Sequence, residues 1–128
     1  MTDPAFLLDS NICIYMLKGR SGPLKRNVAR QEAGSLAMSS ITLAEIGVAY
    51  GDRVAEAEDL QALLVEVDVL PFDRRAAEAY AHLPFRRARF DRLIAAHASA
   101  LGLTLVTNNE RDFADIPGLT VENWALAR

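Results

Sequence analysis

Ala5-Phe6-Leu7-Leu8-Asp9-Ser10-Asn11-Ile12-Cys13-Ile14-Tyr15-Met16-Leu17-Lys18-Gly19 is the stretch from which the rest of the chain can be read. Ala5 to Leu8 is a short apolar run ending at Asp9, the signature of a buried strand. Ile12 to Leu17 then reads as a short helix that Gly19 stops. Moving outward, the sequence predicts a helix over 23–33 and a strand at Leu36-Ala37-Met38. Helices over 42–50, ended by Gly51, and over 53–66 follow, then a strand Val67-Asp68-Val69-Leu70 closed by Pro71. Asp73 is placed to cap a helix to about Leu83, where Pro84 breaks it. The clearest helix covers 88–101, with Phe90, Ile94, Ala98 and Leu101 on one face and Gly102 as its stop. Leu103-Thr104-Leu105-Val106 is a strand, Thr107 to Arg111 a polar turn, and 120–122 a last strand. Strands separated by helices imply an α/β fold with a mostly parallel sheet covered on both faces. In such sheets ligands bind beyond the carboxyl ends of the strands.

The chain of 128 residues is expected to form one domain, 1–128. Half its residues are apolar (51%) and a quarter charged (24%), the balance of a globular protein rather than a disordered one. No apolar run approaches the roughly 18 residues that cross a bilayer. Met1-Thr2-Asp3-Pro4 carries no basic region, so no signal peptide is expected. The single cysteine, Cys13, reads as core filler and suits a reducing compartment. A cytoplasmic protein is expected.

The net charge of −3 argues weakly against a generic nucleic-acid binder, but its distribution is uneven. Lys18, Arg20, Lys25, Arg26 and Arg30 fall together with no acid among them. Arg86, Arg87, Arg89 and Arg92 surround the single acid Asp91, whereas the stretch from Glu45 to Asp68 is acidic. Such asymmetry lets a polyanion bind locally. On charge alone, solvated helix faces are the simpler reading.

Four acids are candidates for chemistry: Asp9 after the first strand, Glu45 on the helix after the second, Asp91 opening the strong helix, and Asp112 after the strand 103–106. Each has an ordinary role open to it. Asp9 can cap a helix, Thr42-Leu43-Ala44-Glu45 matches a capping box, Asp91 suits a helix N-terminus and Asp112 an Asx turn. Together they can all face one edge of a parallel sheet. Gathered carboxylates repel, and some would keep their protons at neutral pH unless a cation joined them. Hard oxygen ligands select Mg²⁺ or Mn²⁺ over Zn²⁺. No zinc set competes, because Cys13 stands alone and His82 and His97 have no ligand spacing. His97 reads as a packing or surface histidine. Held with one or two metals, the acids could activate water against a phosphodiester.

The stretches Phe6–Tyr15, Ile41–Glu45, Asp91–Ala98 and Leu105–Phe113 resemble the PIN-domain ribonucleases, and more narrowly the VapC toxins of bacterial toxin–antitoxin pairs. Pro117-Gly118-Leu119-Thr120-Val121-Glu122-Asn123-Trp124 adds to the likeness, which spans nearly the whole chain in family order. The resemblance implies a three-layer α/β/α sandwich and a Mg²⁺- or Mn²⁺-dependent endoribonuclease. It implies that Asp9, Glu45, Asp91 and Asp112 are the catalytic, metal-binding quartet, with Asn11 and Asn108 as polar neighbours. Ser10 either joins them or caps the helix. It further implies a homodimer held inactive by a VapB-type antitoxin. Lys18, Arg20, Arg86, Arg87 and Arg89 are candidate RNA contacts. The family usually carries a longer segment before the aspartate at 91; here His82 to Asp91 is short, Pro-broken and basic, so the rim of the site is particular to this chain.

Two other readings stay open. A phosphatase of the haloacid-dehalogenase type would use Asp9 as nucleophile, but it wants an aspartate where Asn11 stands and a downstream lysine, while the only lysines are Lys18 and Lys25. A partner-binding module would use the acids merely as caps. A nucleotide-binding fold fares worse, since no Gly-rich loop follows the first strand.

Overall fold

In the computed structural model, which describes residues 3–19, 22–84 and 89–126, the first strand passes into the first helix through one residue. β1 (Phe6–Leu8) ends, Asp9 follows, and α1 (Ser10–Lys18) begins. Asp9 is extended and its Oδ1 accepts from the Ile12 N–H at 2.9 Å, satisfying a donor that the helix itself cannot. Gly19 closes α1 at φ +66, a left-handed turn that a side chain would strain.

The chain continues through α2 (Gly22–Ala29), β2 (Leu36–Ser39), α3 (Ser40–Gly47), α4 (Glu58–Glu66) and β3 (Asp68–Leu70). It finishes with α5 (Arg74–Ala81), α6 (Phe90–Leu101), β4 (Thr104–Val106) and β5 (Val121–Glu122). Short 3-10 turns span Gly51–Glu56 and Glu110–Phe113. All strand pairs are parallel, in the order β3-β2-β1-β4-β5, so the sheet is wholly rather than mostly parallel among the described residues.

β1 is central. Leu7 lies between Ala37 and Leu105, and Leu8 between Met38 and Val106. Strand alternation sends these two rows to opposite faces. Leu8, Met38 and Val106 pack against Ile12 and Cys13 of α1, Leu24 of α2 and Leu60 of α4. Leu7, Ala37 and Leu105 pack against Ile94, Ala95 and Ala98 of α6 and against Phe113. The expected α/β/α sandwich is what forms. Burying each such leucine contributes about 1.5–3 kcal/mol, which is how one short strand anchors both layers.

Several boundaries differ from the sequence reading. α2 stops at Ala29, short of 33, because the chain turns back toward β2 with Gly34 at φ +89. α3 starts at Ser40, earlier than 42, because Ser39 at the end of β2 is its cap, accepting from the Ile41 N–H at 3.1 Å. Thr42 is therefore buried within the helix and no capping box exists; Glu45 stands beyond the first turn. The helix expected over 53–66 is divided by Ala57, whose extended backbone separates the 3-10 turn from α4. Asp73 does cap α5, accepting from the Ala76 N–H at 3.1 Å, and Gly102 ends α6 at φ +67. Phe90, expected on the core face of α6, is instead 55% exposed. It is the first residue of α6 and lines a surface cleft.

Candidate active site

The strand order places a topological switch between β1 and β4: the chain leaves β1 toward β2 on one side and leaves β4 toward β5 on the other. Crevices form at such points. Asp9 leaves β1 and Thr107 leaves β4, and both are buried. Asp9 accepts hydrogen bonds from the Thr107 side chain and the Ile12 N–H. Burial pushes its carboxyl up to about 6. The two hydrogen bonds pull the other way, while the charges of Asp91 and Glu45 push it further up. Three carboxylates from distant parts of the chain thus feel one another.

They share a cleft of about 550 Å³ with Ser10 and Asn11. Glu45 is fixed by the Ser10 hydroxyl, which donates to its Oε1 at 2.6 Å. Asp91 is the second residue of α6, and its Oδ1 is buried without a hydrogen-bond partner. Arg89 forms a long ion pair with that oxygen, its Nε at 3.6 Å, beyond hydrogen-bonding distance. A charged oxygen stripped of water and left without a donor is what a cation satisfies.

Asp112 stands outside this group. It lies in the 3-10 turn after β4, and its Oδ2 accepts from Asn109 Nδ2 at 2.7 Å. It is not among the residues lining the cleft. Among the described residues, no three His, Cys, Asp or Glu side chains are close enough to hold an ion together. The structure therefore brings Asp9, Glu45 and Asp91 to one cleft, without the closed four-acid cage that the sequence suggests. The donor set still fits Mg²⁺, which keeps several waters and takes one or two carboxylates plus substrate phosphate.

The remaining candidates divide. Asn11 is exposed at the cleft. Asn108 donates to the Tyr15 hydroxyl at 3.1 Å, and its Oδ1 is buried without a partner. Lys18 is exposed in the last turn of α1 and does not line the cleft, whereas Arg89 does. Arg20, Arg86 and Arg87 lie outside the described residues. Arg92 drops out of the basic stretch altogether: it is 3% exposed, and its guanidinium takes both oxygens of Asp115 at 2.9 and 3.1 Å and the Pro84 carbonyl at 3.2 Å. His97 is a packing residue, buried on Ser39 Oγ at 2.8 Å and edge-on to Phe72. Burial holds its pKa below the usual histidine value.

Sequence reasoning left Ser10 between two roles and missed that of Thr107 and the apolar lining of the cleft. Ser10 does not cap α1, because Asp9 already does; its hydroxyl is thereby free to reach α3. Thr107 becomes legible only once β4 is known to lie beside β1.

Comparison with known proteins places the fold within a family. The PIN domain family pattern matches residues 6–119. The tRNA(fMet)-specific endonuclease VapC of Shigella flexneri is 33% identical, with 94% of this chain and 98% of that protein covered. Ribonuclease VapC2 of Rickettsia felis is 32% identical over 93% and 97%. Among solved structures, VapBC2 from Rickettsia felis bound to a promoter DNA fragment superposes with a TM-score of 0.79 at 30% identity, covering 94% of this chain and 98% of that one. DNA-bound VapBC from Salmonella typhimurium gives 0.80 at 29% identity, with coverage of 94% and 98%.

Proposed function

This chain belongs to the PIN domain family, and on that premise we propose that it is a Mg²⁺- or Mn²⁺-dependent endoribonuclease, the toxin of a VapBC-type pair. One observation carries the metal dependence: Asp91 presents a buried, unbonded oxygen to the cleft in which burial and neighbouring carboxylates hold Asp9 up to about 6. A divalent ion would give that oxygen the direct ligand that the distant Arg89 guanidinium does not and, when bound, would activate water and steady the leaving oxygen of a phosphodiester.

Asp9 and Asp91 are the residues that hold it. Thr107 and the Ile12 N–H fix the Asp9 carboxylate in place. Ser10 occupies Oε1 of Glu45 and leaves Oε2 to accept a proton from the attacking water. Asp112 remains the fourth family acid and acts from beside the cleft, on groups that enter with the substrate. The partner is a VapB-type antitoxin, as in the complexes of the structural relatives, and the working unit is a homodimer in the cytoplasm. Among the described residues no helix is long and apolar enough to cross a membrane.

The test is cleavage of total RNA by the purified chain with Mg²⁺ or Mn²⁺, with EDTA, and with Asp91→Asn. Cutting that EDTA and the variant both abolish is expected, together with growth arrest on expression that Asp91→Asn relieves. Undiminished cutting in EDTA would remove the metal; no cutting of any RNA would overturn the activity. Mapping new RNA 5′ ends after brief induction identifies the substrate.

A further inference from the structure

The reaction above uses the carboxylates of the cleft and leaves the rest of its lining without a task. That remainder is Tyr80 of α5, then Phe90, Leu93 and Ile94 of α6, with Arg89. Ile94 belongs to the core, but Phe90 does not. Four large apolar side chains are exposed among the described residues (Val48, Val65, Phe90 and Leu126), and of these Phe90 alone lines the cleft. An aromatic ring left in water forgoes the free energy of its own burial. Here the ring directly precedes Asp91, and the half-exposed guanidinium of Arg89 directly precedes the ring.

We propose that Phe90, with Tyr80 and Arg89, forms a subsite for one unpaired nucleobase of the RNA beside the phosphate held at the carboxylates. This inference rests on the ribonuclease reading. Every nucleobase has a π-face and stacks on exposed aromatic rings, so a wall of this kind takes a base with little regard to sequence. A base within a duplex has both faces covered by its neighbours, so the subsite selects single strands, loops or ends. Arg89 adds the charge that a flanking phosphate requires and a flat cation that can itself lie on a base. The cleft volume of about 550 Å³ is within the range that encloses a small ligand. A cation held by Asp91 would displace the guanidinium that pairs with it at 3.6 Å, and an apolar peptide would then leave Arg89 unmatched, which is why RNA is favoured over a protein segment.

The experiment measures steady-state cleavage of one single-stranded RNA, free and annealed to its complement, by the full chain and by Phe90→Leu and Phe90→Trp. In parallel, 2-aminopurine placed at successive positions of that RNA reports stacking by loss of fluorescence, in an Asp9→Asn background that keeps the helix cap and does not cut. Phe90→Leu is expected to raise KM about five- to a hundredfold with kcat little changed, and Phe90→Trp to restore it. One position is expected to be quenched with Phe90 or Trp in place and not with Leu, and the duplex to be cut poorly by all. Because the ring is exposed, an unchanged melting temperature for Phe90→Leu is the expected control. If RNA is cut but neither KM nor fluorescence responds to Phe90, the subsite falls and the activity stands. The subsite falls in the same way if Phe90→Leu weakens only the antitoxin complex. If the full chain cuts no RNA, both fall.

Discussion

The Ser10 hydroxyl and the Glu45 carboxylate meet at 2.6 Å, tying the first turn of α1 to α3 across the cleft. Two helices that do not share a strand junction are thereby given one register at the site. Removing such an outer hydrogen bond commonly costs ten- to a hundredfold in metal affinity or activity. Ser10→Ala is therefore expected to lower kcat/KM about tenfold or more while its denaturation midpoint stays near that of the parent chain. Ser10→Thr, which keeps the hydroxyl, should recover most of the loss. Equal loss in both variants would show that the hydroxyl is not the operative group.

Asp9 makes stability depend on pH in a definite direction. Its carboxyl sits at 3.8 when free and is held up to about 6 in the fold, so the folded state binds more protons. Its contribution is whole below the free value and is lost as pH rises through about 6. At neutral pH the metal-free protein carries a penalty of up to about 3 kcal/mol. Asp9→Asn keeps the capping oxygen and removes the charge. Without metal at about pH 8 the variant should melt above the parent, with the gap closing toward about pH 4. Millimolar Mg²⁺ should reverse the order by raising only the parent. A pH-independent difference between the two would show that the charge is not penalised.

Arg92 predicts a loss of a different kind. Its guanidinium is buried and bidentate on Asp115, whose side chain is 26% exposed. Arg92→Ala removes both hydrogen bonds to Asp115 and those to the Pro84 and Asp112 carbonyls, and is expected to cost about 2–4 kcal/mol in urea unfolding. Arg92→Lys should not restore it, since an ammonium cannot grip both oxygens. A loss below about 0.5 kcal/mol would mean that water replaces the pair.

Core and surface apolar residues should separate cleanly. Leu7 is fully buried at the centre of the sheet, while Val65 on α4 is 84% exposed. Leu7→Ala is expected to cost about 3–5 kcal/mol by thermal or urea unfolding, and Val65→Ala less than about 0.5.

What the sequence revealed, and what it hid, follows from the range of each interaction. Gly19, Asp73 and Gly102 act on their own neighbours, so the stops of α1 and α6 and the start of α5 could be read residue by residue. The apolar runs at 6–8 and 104–106 gave β1 and β4 for the same reason. Capping by Ser39 was obscured because that residue also ends a strand, and the spacing of Thr42 and Glu45 offered a plausible rival. Helical periodicity assigned Phe90 to the core correctly by angle and wrongly by position, since periodicity carries no information about where the sheet ends beneath a helix. The acids were found individually. That Asp112 pairs with Asn109 while Glu45 pairs with Ser10 depends on side-chain geometry over long separations. The Arg92–Asp115 pair was invisible in a stretch whose charges looked uniform.

The placement of β1 between β2 and β4 has a consequence for a ribosome making this chain. Asp9, Glu45 and Asp91 have all emerged before Thr104–Val106, yet β1 still shows an open flank and Asp9 lacks Thr107. A polypeptide that ends before residue 104 therefore lacks both the strand that covers this flank of β1 and the hydroxyl that donates to Asp9. The cleft is complete only when about the last fifth of the chain has been translated.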